Sequence, residues 1–168
     1  AKPGDVIWID QNKDGEYNND DIVEIGNPHP DFNMGFNINM EYKGFDLSIN
    51  GSGAFGHQIL QSYRSFANSD TENYTNNFVD RLWDGEGSTN SFPRFTYGKH
   101  NNFYCKGYVG DVWVQDADYV KVRNITIGYD LKKLFNQLPV SSLRIYFTGQ
   151  NLFTFTGYDG MDPEVGYG

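Results

Sequence analysis

The chain is 168 residues long, 38% apolar and 17% aromatic, with 19 Gly and 18 Asn against 8 Leu and 4 Ala, which suits pleated sheet and turns rather than helices. A net charge of -9 leaves no surface that could neutralise phosphates, so nucleic-acid binding is excluded. No apolar run is long enough for a membrane-spanning helix, but strand-built membrane proteins escape that test.

The opening residues, Ala1-Lys2-Pro3-Gly4-Asp5, carry no initiator Met and no signal peptide and read as the interior of something longer. Residues 1–41 hold nine of the 22 acidic residues against only Lys2 and Lys13, so -7 of the charge sits there. Within them, Asp10-Gln11-Asn12-Lys13-Asp14-Gly15-Glu16 and Asp21 follow the order of a calcium loop. Oxygen side chains stand at loop positions 1, 3 and 5 (Asp10, Asn12, Asp14), Gly15 allows the sharp turn, Glu16 offers its carbonyl, and Asp21 closes the set. Asp21 replaces the usual Glu and no flanking helix is evident, so a lone structural calcium loop is expected rather than an EF-hand pair. The competing reading is an Asx-rich turn that holds no metal.

From Phe32 to Tyr42 the period is strictly two. Phe32, Met34, Phe36, Ile38, Met40 and Tyr42 are apolar, and Asn33, Gly35, Asn37, Asn39 and Glu41 between them are polar or small. This predicts one long strand with a greasy and a wet face. Lys43-Gly44 breaks the pattern, and Phe45, Leu47, Ile49, Gly51, Gly53 and Phe55 resume it, which predicts a hairpin with a tight turn.

Roughly fifty residues then separate Phe55 from a strand expected near Val112. Short helices are expected over Gln58–Asn68 and Tyr74–Trp83. The aromatics of this loop, Tyr63, Phe66, Tyr74, Trp83, Phe92, Phe95, Tyr97, Phe103 and Tyr104, suit self-packing, contact with a partner, or stacking on sugars.

Val120 and Val122 open another strand. The phase slips at Arg123-Asn124, and Ile125, Ile127, Tyr129 and Leu131 continue on the other parity, which predicts a bulge. After a short linker, Lys132 to Pro139, a last strand alternates Leu143, Ile145, Phe147, Phe153 and Phe155 against Arg144, Tyr146, Thr148, Gln150 and Thr154. Each strand is about twice the usual globular length, and short joins at one end oppose a long loop at the other. Crossing a bilayer at a tilt takes about 9–11 residues per strand, so the pattern predicts an all-β, antiparallel, long-stranded segment of a transmembrane β-barrel with long extracellular loops.

Nothing in the chain assembles as catalytic machinery. His29, His57 and His100 are scattered, and the acid pairs Asp84/Glu86 and Asp116/Asp118 lack neighbours that would split their pKa values. Cys105 is the lone cysteine, and the sequons at Asn73 and Asn124 are read as chance.

The segments Tyr119–Tyr129 (YVKVRNITIGY) and Ser142–Phe155 (SLRIYFTGQNLFTF) together resemble the C-terminal region of the SusC/RagA-like TonB-dependent outer-membrane transporters. Three further pieces are similar to the same family in the same order: Gly4-Asp5 leading into the acidic loop, Ile25-Gly26-Asn27-Pro28, and Tyr158-Asp159-Gly160-Met161-Asp162-Pro163-Glu164. Arg81-Leu82-Trp83 and Phe92-Pro93-Arg94 resemble it more faintly.

The resemblance implies a plugged outer-membrane barrel of a Gram-negative cell. Such a barrel imports oligosaccharides or peptides, driven through TonB and covered by a SusD-like lipoprotein. It also implies that 1–168 is the C-terminal portion of that barrel, without plug, TonB-engaging segment or most strands, so its partners are the rest of the barrel, outer-membrane lipid, TonB and the lipoprotein. The loop between Phe55 and Val112 is then expected at the extracellular end. The other reading is a secreted calcium-dependent carbohydrate-binding β-module, and an enzyme comes last.

Overall fold

In the computed structural model, residues 2–61, 80–89, 91–95, 110–135, 137 and 139–164 are described. The elements in chain order are a 3-10 turn at Asn19–Asp21, strands β1 (Phe32–Tyr42), β2 (Phe45–Phe55) and β3 (Gln58–Leu60), and a 3-10 turn at Asp111–Trp113. Strands β4 (Val114–Asp116) and β5 (Tyr119–Asp130), a 3-10 turn at Leu131–Lys133, and β6 (Arg144–Thr156) follow. Strands β1, β2, β5 and β6 form one antiparallel sheet in that order, and β3 pairs with β4.

The first hairpin has the expected bounds. Its turn residues Lys43 and Gly44 both take positive φ, 49° and 92°, as a two-residue turn matched to strand twist requires. The expected bulge is also present. Val122 pairs with Gly51 and Asn124 with Asn50, so Arg123 is the extra residue on β5. On the other side Val122 pairs with Phe153 and Asn124 with Gln150, leaving Asn151 and Leu152 opposite Arg123. Asn151 takes a positive φ of 51°, the local kink that absorbs the extra length.

Directly opposed residues of an antiparallel pair lie on the same face, so the register decides which side chains share a surface. Phe36 faces Gly51, Gly51 faces Val122, and Val122 faces Phe153; one row down, Ile38 leads to Ile49, Ile125 and Gly149. Gly51 leaves room for the Phe36 ring, which stands where a β-carbon at 51 would lie. Asn37 leads instead to Asn50, Asn124 and Gln150, and Glu41 to Asp46, Gly128 and Tyr146. One face is therefore apolar across all four strands and the other polar. Among the described residues no second layer covers the apolar face: Phe147 is 77% exposed, and Phe32, Met40, Ile145 and Phe155 are also open.

The chain divides into two compact units, Ala1–Gly26 with Leu60–Gln115, and Asn27–Ile59 with Asp116–Gly168. The second holds the four-stranded sheet. In the first, a small core forms where Phe92 meets Trp113, ring centroids 5.3 Å apart, with Leu60, Leu82 and Val112 around them.

Two expectations need correction. Gln58–Leu60 is a strand rather than the start of a helix, because its backbone is held in extended pairing with β4. Asp80–Trp83 is a turn and an isolated bridge from Leu82 to Phe92 rather than the end of a helix. The remainders of both expected helices, 62–68 and 74–79, lie outside the described residues. Among the described residues, the only helical turns are 3-10, and no helix is long and apolar enough to cross a membrane.

The two faces make opposite demands on a new charge. Arg at Ile38 puts a cation on the apolar face and should cost about 2–4 kcal/mol if that face meets mid-bilayer lipid, whereas Arg at Asn37 should cost little. The check is the fraction of full-length protein that migrates as folded on unboiled SDS gels of outer membranes. Loss with Asn37→Arg and tolerance of Ile38→Arg would assign the faces the other way round.

Candidate functional site

Residues Asp10 to Asp21 close on themselves through carboxylates that accept from backbone N–H groups. Asp10 accepts from Lys13 (2.6 Å) and Gly15 (2.8 Å), Asp14 from Glu16 (2.8 Å), and Asp21 from Gln11 (2.8 Å) and Asn18 (3.0 Å). Asn12 accepts from the Asp14 N–H at 2.9 Å and donates from Nδ2 to its carboxylate at 2.9 Å. Gly15 takes φ of 87°, the left-handed turn for which glycine suits position 6. The Asn18 N–H holds the Asp21 carboxyl below its ordinary value, against a desolvation penalty and with help from Gln11 and Asn12. The loop thus ties Asp10, Asn12, Asp14 and Asp21 to its own backbone, and Glu16 enters only through its N–H. Among the described residues, however, no three His, Cys, Asp or Glu side chains stand as a ready metal-holding group.

The wet face of the sheet is the second candidate. Asn33, Asn37, Asn39, Asp46, Asn50, Arg144 and Gln150 all lie on it by register. Arg144 holds the Asp46 carboxylate through Nε at 2.9 Å and again through its terminal nitrogen. Thr126 and Thr148 share a hydrogen bond of 3.0 Å, and Asn39 donates to Asn37 at 2.8 Å.

At the end where β5 begins and β6 stops, the face also carries a charge cluster that the periodicity alone did not single out. Lys121, only 9% exposed, donates to Asp162 at 2.6 Å and 2.9 Å and to Glu164 at 2.9 Å. Arg123, the bulge residue, pairs with Glu164 and donates to Ser52 at 2.8 Å. The signal was there in two places, a Lys on the wet parity of a strand and the acidic Asp162-Pro163-Glu164, but they are some forty residues apart.

No protein-family profile matches the chain. Individual relatives do. TonB-dependent receptor P3 of Formosa agariphila is 32% identical over 168 residues, covering 99% of this chain and 16% of that protein. TonB-dependent receptor P39 of the same organism is also 32% identical, and TonB-dependent receptor SusC of Bacteroides thetaiotaomicron is 26% identical over 98% of the chain. Along nearly its whole length the chain is related to TonB-dependent receptors, SusC among them.

Among solved structures, the RagAB peptide transporter matches with a TM-score of 0.67 at 22% identity, over 90% of this chain and 17% of that one. The RagAB peptide importer in the closed-closed state matches with a TM-score of 0.63. With the TonB-dependent receptors among its relatives, the sheet is part of an outer-membrane β-barrel that the described residues alone do not close. The chain spans 16% of the length of the curated relatives it matches.

The relatives are receptors and transporters, not enzymes, and the likeness to them replaces the secreted carbohydrate-binding reading. The residues considered for chemistry have structural roles. Asp116 accepts from Gln58 (2.9 Å) and Asp118 from the Gly56 N–H (2.7 Å), while Asp84, Glu86 and His29 sit exposed in loops. His57 is buried and donates from Nε2 to the Pro163 carbonyl at 3.3 Å. Of the loop aromatics, Phe92 is core and Trp83 lies against Gly4, where a β-carbon would fall 2.3 Å from its ring.

Next to that contact Arg94 donates to Asp5 at 2.6 Å and its N–H to Gly4 at 2.8 Å, so the Gly4-Asp5, Trp83 and Phe92-Pro93-Arg94 motifs form one structural knot. Tyr63, Phe66, Tyr74, Tyr97, Phe103, Tyr104, His100, Cys105 and the sequon at Asn73 lie outside the described residues.

Asp21 ties the two ends of the acidic loop, and its effect on pH follows from the sign of its shift. A carboxyl held below its unfolded value stabilises above that value, and the contribution is lost as pH falls through the folded one. Asp21→Ala should speed amide hydrogen exchange at Gln11 and Asn18 in the full-length receptor at neutral pH, and acidification should reproduce part of that loss in the wild type only below the ordinary carboxylate range. Unchanged exchange in Asp21→Ala would show that the loop closes without it.

Proposed function

We propose that these residues are the C-terminal portion of the barrel of a TonB-dependent active transporter that imports oligosaccharides or peptides across the outer membrane, with a SusD-like surface lipoprotein as its lid. The observation that carries this reading is the open, two-faced sheet, in a chain matching TonB-dependent receptors along nearly its whole length. An apolar face suits lipid and a face of amides, hydroxyls and paired charges suits a wet lumen. Among the described residues the outer edges of β1 and β6 each lack a strand partner, and bare strand edges in hydrocarbon are untenable, so both are assigned to pair with further strands of the barrel. Plug and energy coupling through TonB are assigned to the remainder of the protein. The end of the sheet reached by Phe55 and Tyr119 is assigned to the cell exterior, toward the lipoprotein.

Deleting the whole gene, or the cell's TonB, should abolish growth on the imported nutrient and uptake of its labelled form, and restoring the full-length gene should restore both. Parallel growth on defined oligosaccharides and on peptides as sole source separates the two substrate classes. Undiminished uptake of every such nutrient in the deletion strain would remove the transport reading.

For the Asp10–Asp21 loop we propose calcium as a structural ion, supported by the order of its oxygen donors. Binding would exchange backbone N–H partners of Asp10, Asp14 and Asp21 for the ion. Calcium should then slow proteolysis of the loop in the full-length receptor, a chelator should reverse this, and Asp10→Asn with Asp14→Asn should make the two conditions alike. Equal proteolysis of the wild type with calcium and with chelator would leave an Asx turn.

A further inference from the structure

After β6 ends at Thr156 the chain does not leave the sheet. Tyr158 to Glu164 turns back across the wet face to the start of β5, where Asp162 and Glu164 meet Lys121 and Arg123. The return is stepped into place by short polar links. Thr156 Oγ1 donates to the Asp118 carbonyl at 2.7 Å and accepts from the Tyr158 N–H at 3.0 Å, while Asp162 accepts from the Glu164 N–H at 2.9 Å. His57, buried beneath, donates to the Pro163 carbonyl between the two acidic residues. Lys121 also lies 5.6 Å from the Tyr119 ring centroid.

A lysine this buried is tolerated only with its charge matched, and here three hydrogen bonds from its Nζ to two carboxylates do it. The two cations and the two carboxylates that meet them match one for one.

We propose that Tyr158–Glu164 is an ionic clasp, in which Asp162 and Glu164 pin the segment after β6 onto Lys121 and Arg123 of β5, and whose release bares two cations on the wet face. Four features distinguish it from an incidental surface pair. Lys121 is nearly buried, both carboxylates share it, Arg123 reaches Glu164 from the bulge, and the Pro163 carbonyl has its own buried donor.

The charge matching also acts on the strap itself. Lys121 first, with the Glu164 N–H, holds the Asp162 carboxyl below its ordinary value; Lys121 and then Arg123 do the same for Glu164. Both groups thus keep their charge at neutral pH, and the clasp is a standing one at that pH rather than a switch near it. The inference concerns the geometry of this face and stands whether or not the imported substrate is the one proposed.

The experiment follows chymotrypsin cleavage after Tyr158, which is buried in the closed strap, in full-length receptor in outer-membrane vesicles at neutral pH, with the cut identified by fragment mass. Asp162→Asn combined with Glu164→Gln removes the anionic half without touching a strand, and should speed this cut about tenfold, as loss of buried charged hydrogen bonds implies. Lys121→Met should do likewise, and all three substitutions together should cleave no faster than either half, because the halves act only through each other. Unboiled gel migration confirms that each barrel is folded. Cleavage at the wild-type rate in the strap variant, or additive acceleration in the combined one, would overturn the clasp.

Discussion

A strand in hydrocarbon has no water to satisfy its backbone, so its N–H and C=O groups must all be paired sideways, and its side chains must divide cleanly between two surfaces. That constraint organises this chain. The alternation from Phe32 to Tyr42 is useful only because β2, β5 and β6 repeat it in matching register; a slip of one residue anywhere would put asparagines into the apolar face. The bulge shows how closely this is kept. One extra residue, Arg123, reverses the parity of β5, so that Val120 and Val122 before it and Ile125 and Ile127 after it share a face. Across from it, β6 admits two residues, Asn151 and Leu152, and so keeps its parity from Phe147 to Phe153.

This is why the sheet was legible and the rest less so. Period two is a local property written into each strand, and the tight turn at Lys43-Gly44 has its own local signal. Both could be read residue by residue, to the right bounds for β1 and β2. Gln58–Leu60 could not. Its short apolar run fits a helix as readily as a strand, and what decides it is pairing with Val114–Asp116 more than fifty residues away. Lys121 was hidden for a similar reason. Its parity placed it on the wet face, but only the return of the chain after Thr156 brings Asp162 and Glu164 onto it.

The acidic loop is the opposite case, where sequence and local geometry agree and function still does not follow from them. Every feature that suits it to calcium also suits it to close without any ion: Asp10 and Asp14 find backbone N–H groups, Gly15 takes the turn, and Asp21 seals the ends. Asx residues satisfy backbone donors and metal ions with the same oxygens. Composition ranks the loop as a cation site, but the choice between backbone and cation depends on a free-energy difference that donor order does not contain.

The treatment of charge on the wet face has a logic of its own. Asp46 lies under Arg144, and Lys121 and Arg123 lie under Asp162 and Glu164. Pairing within the wall trades long-range attraction for short-range order, because matched charges project little field beyond about a Debye length of ~8 Å. A wall whose charges are mostly paired and whose other polar groups are amides and hydroxyls offers many weak hydrogen-bonding positions and no deep electrostatic trap. The same pairing stiffens the wall, since each bridge ties β2 to β6 or the strap to β5 across a strand boundary. Lifting the strap would unpair Lys121 and Arg123 at once, which is why the segment after β6 bears on more than the packing of one loop.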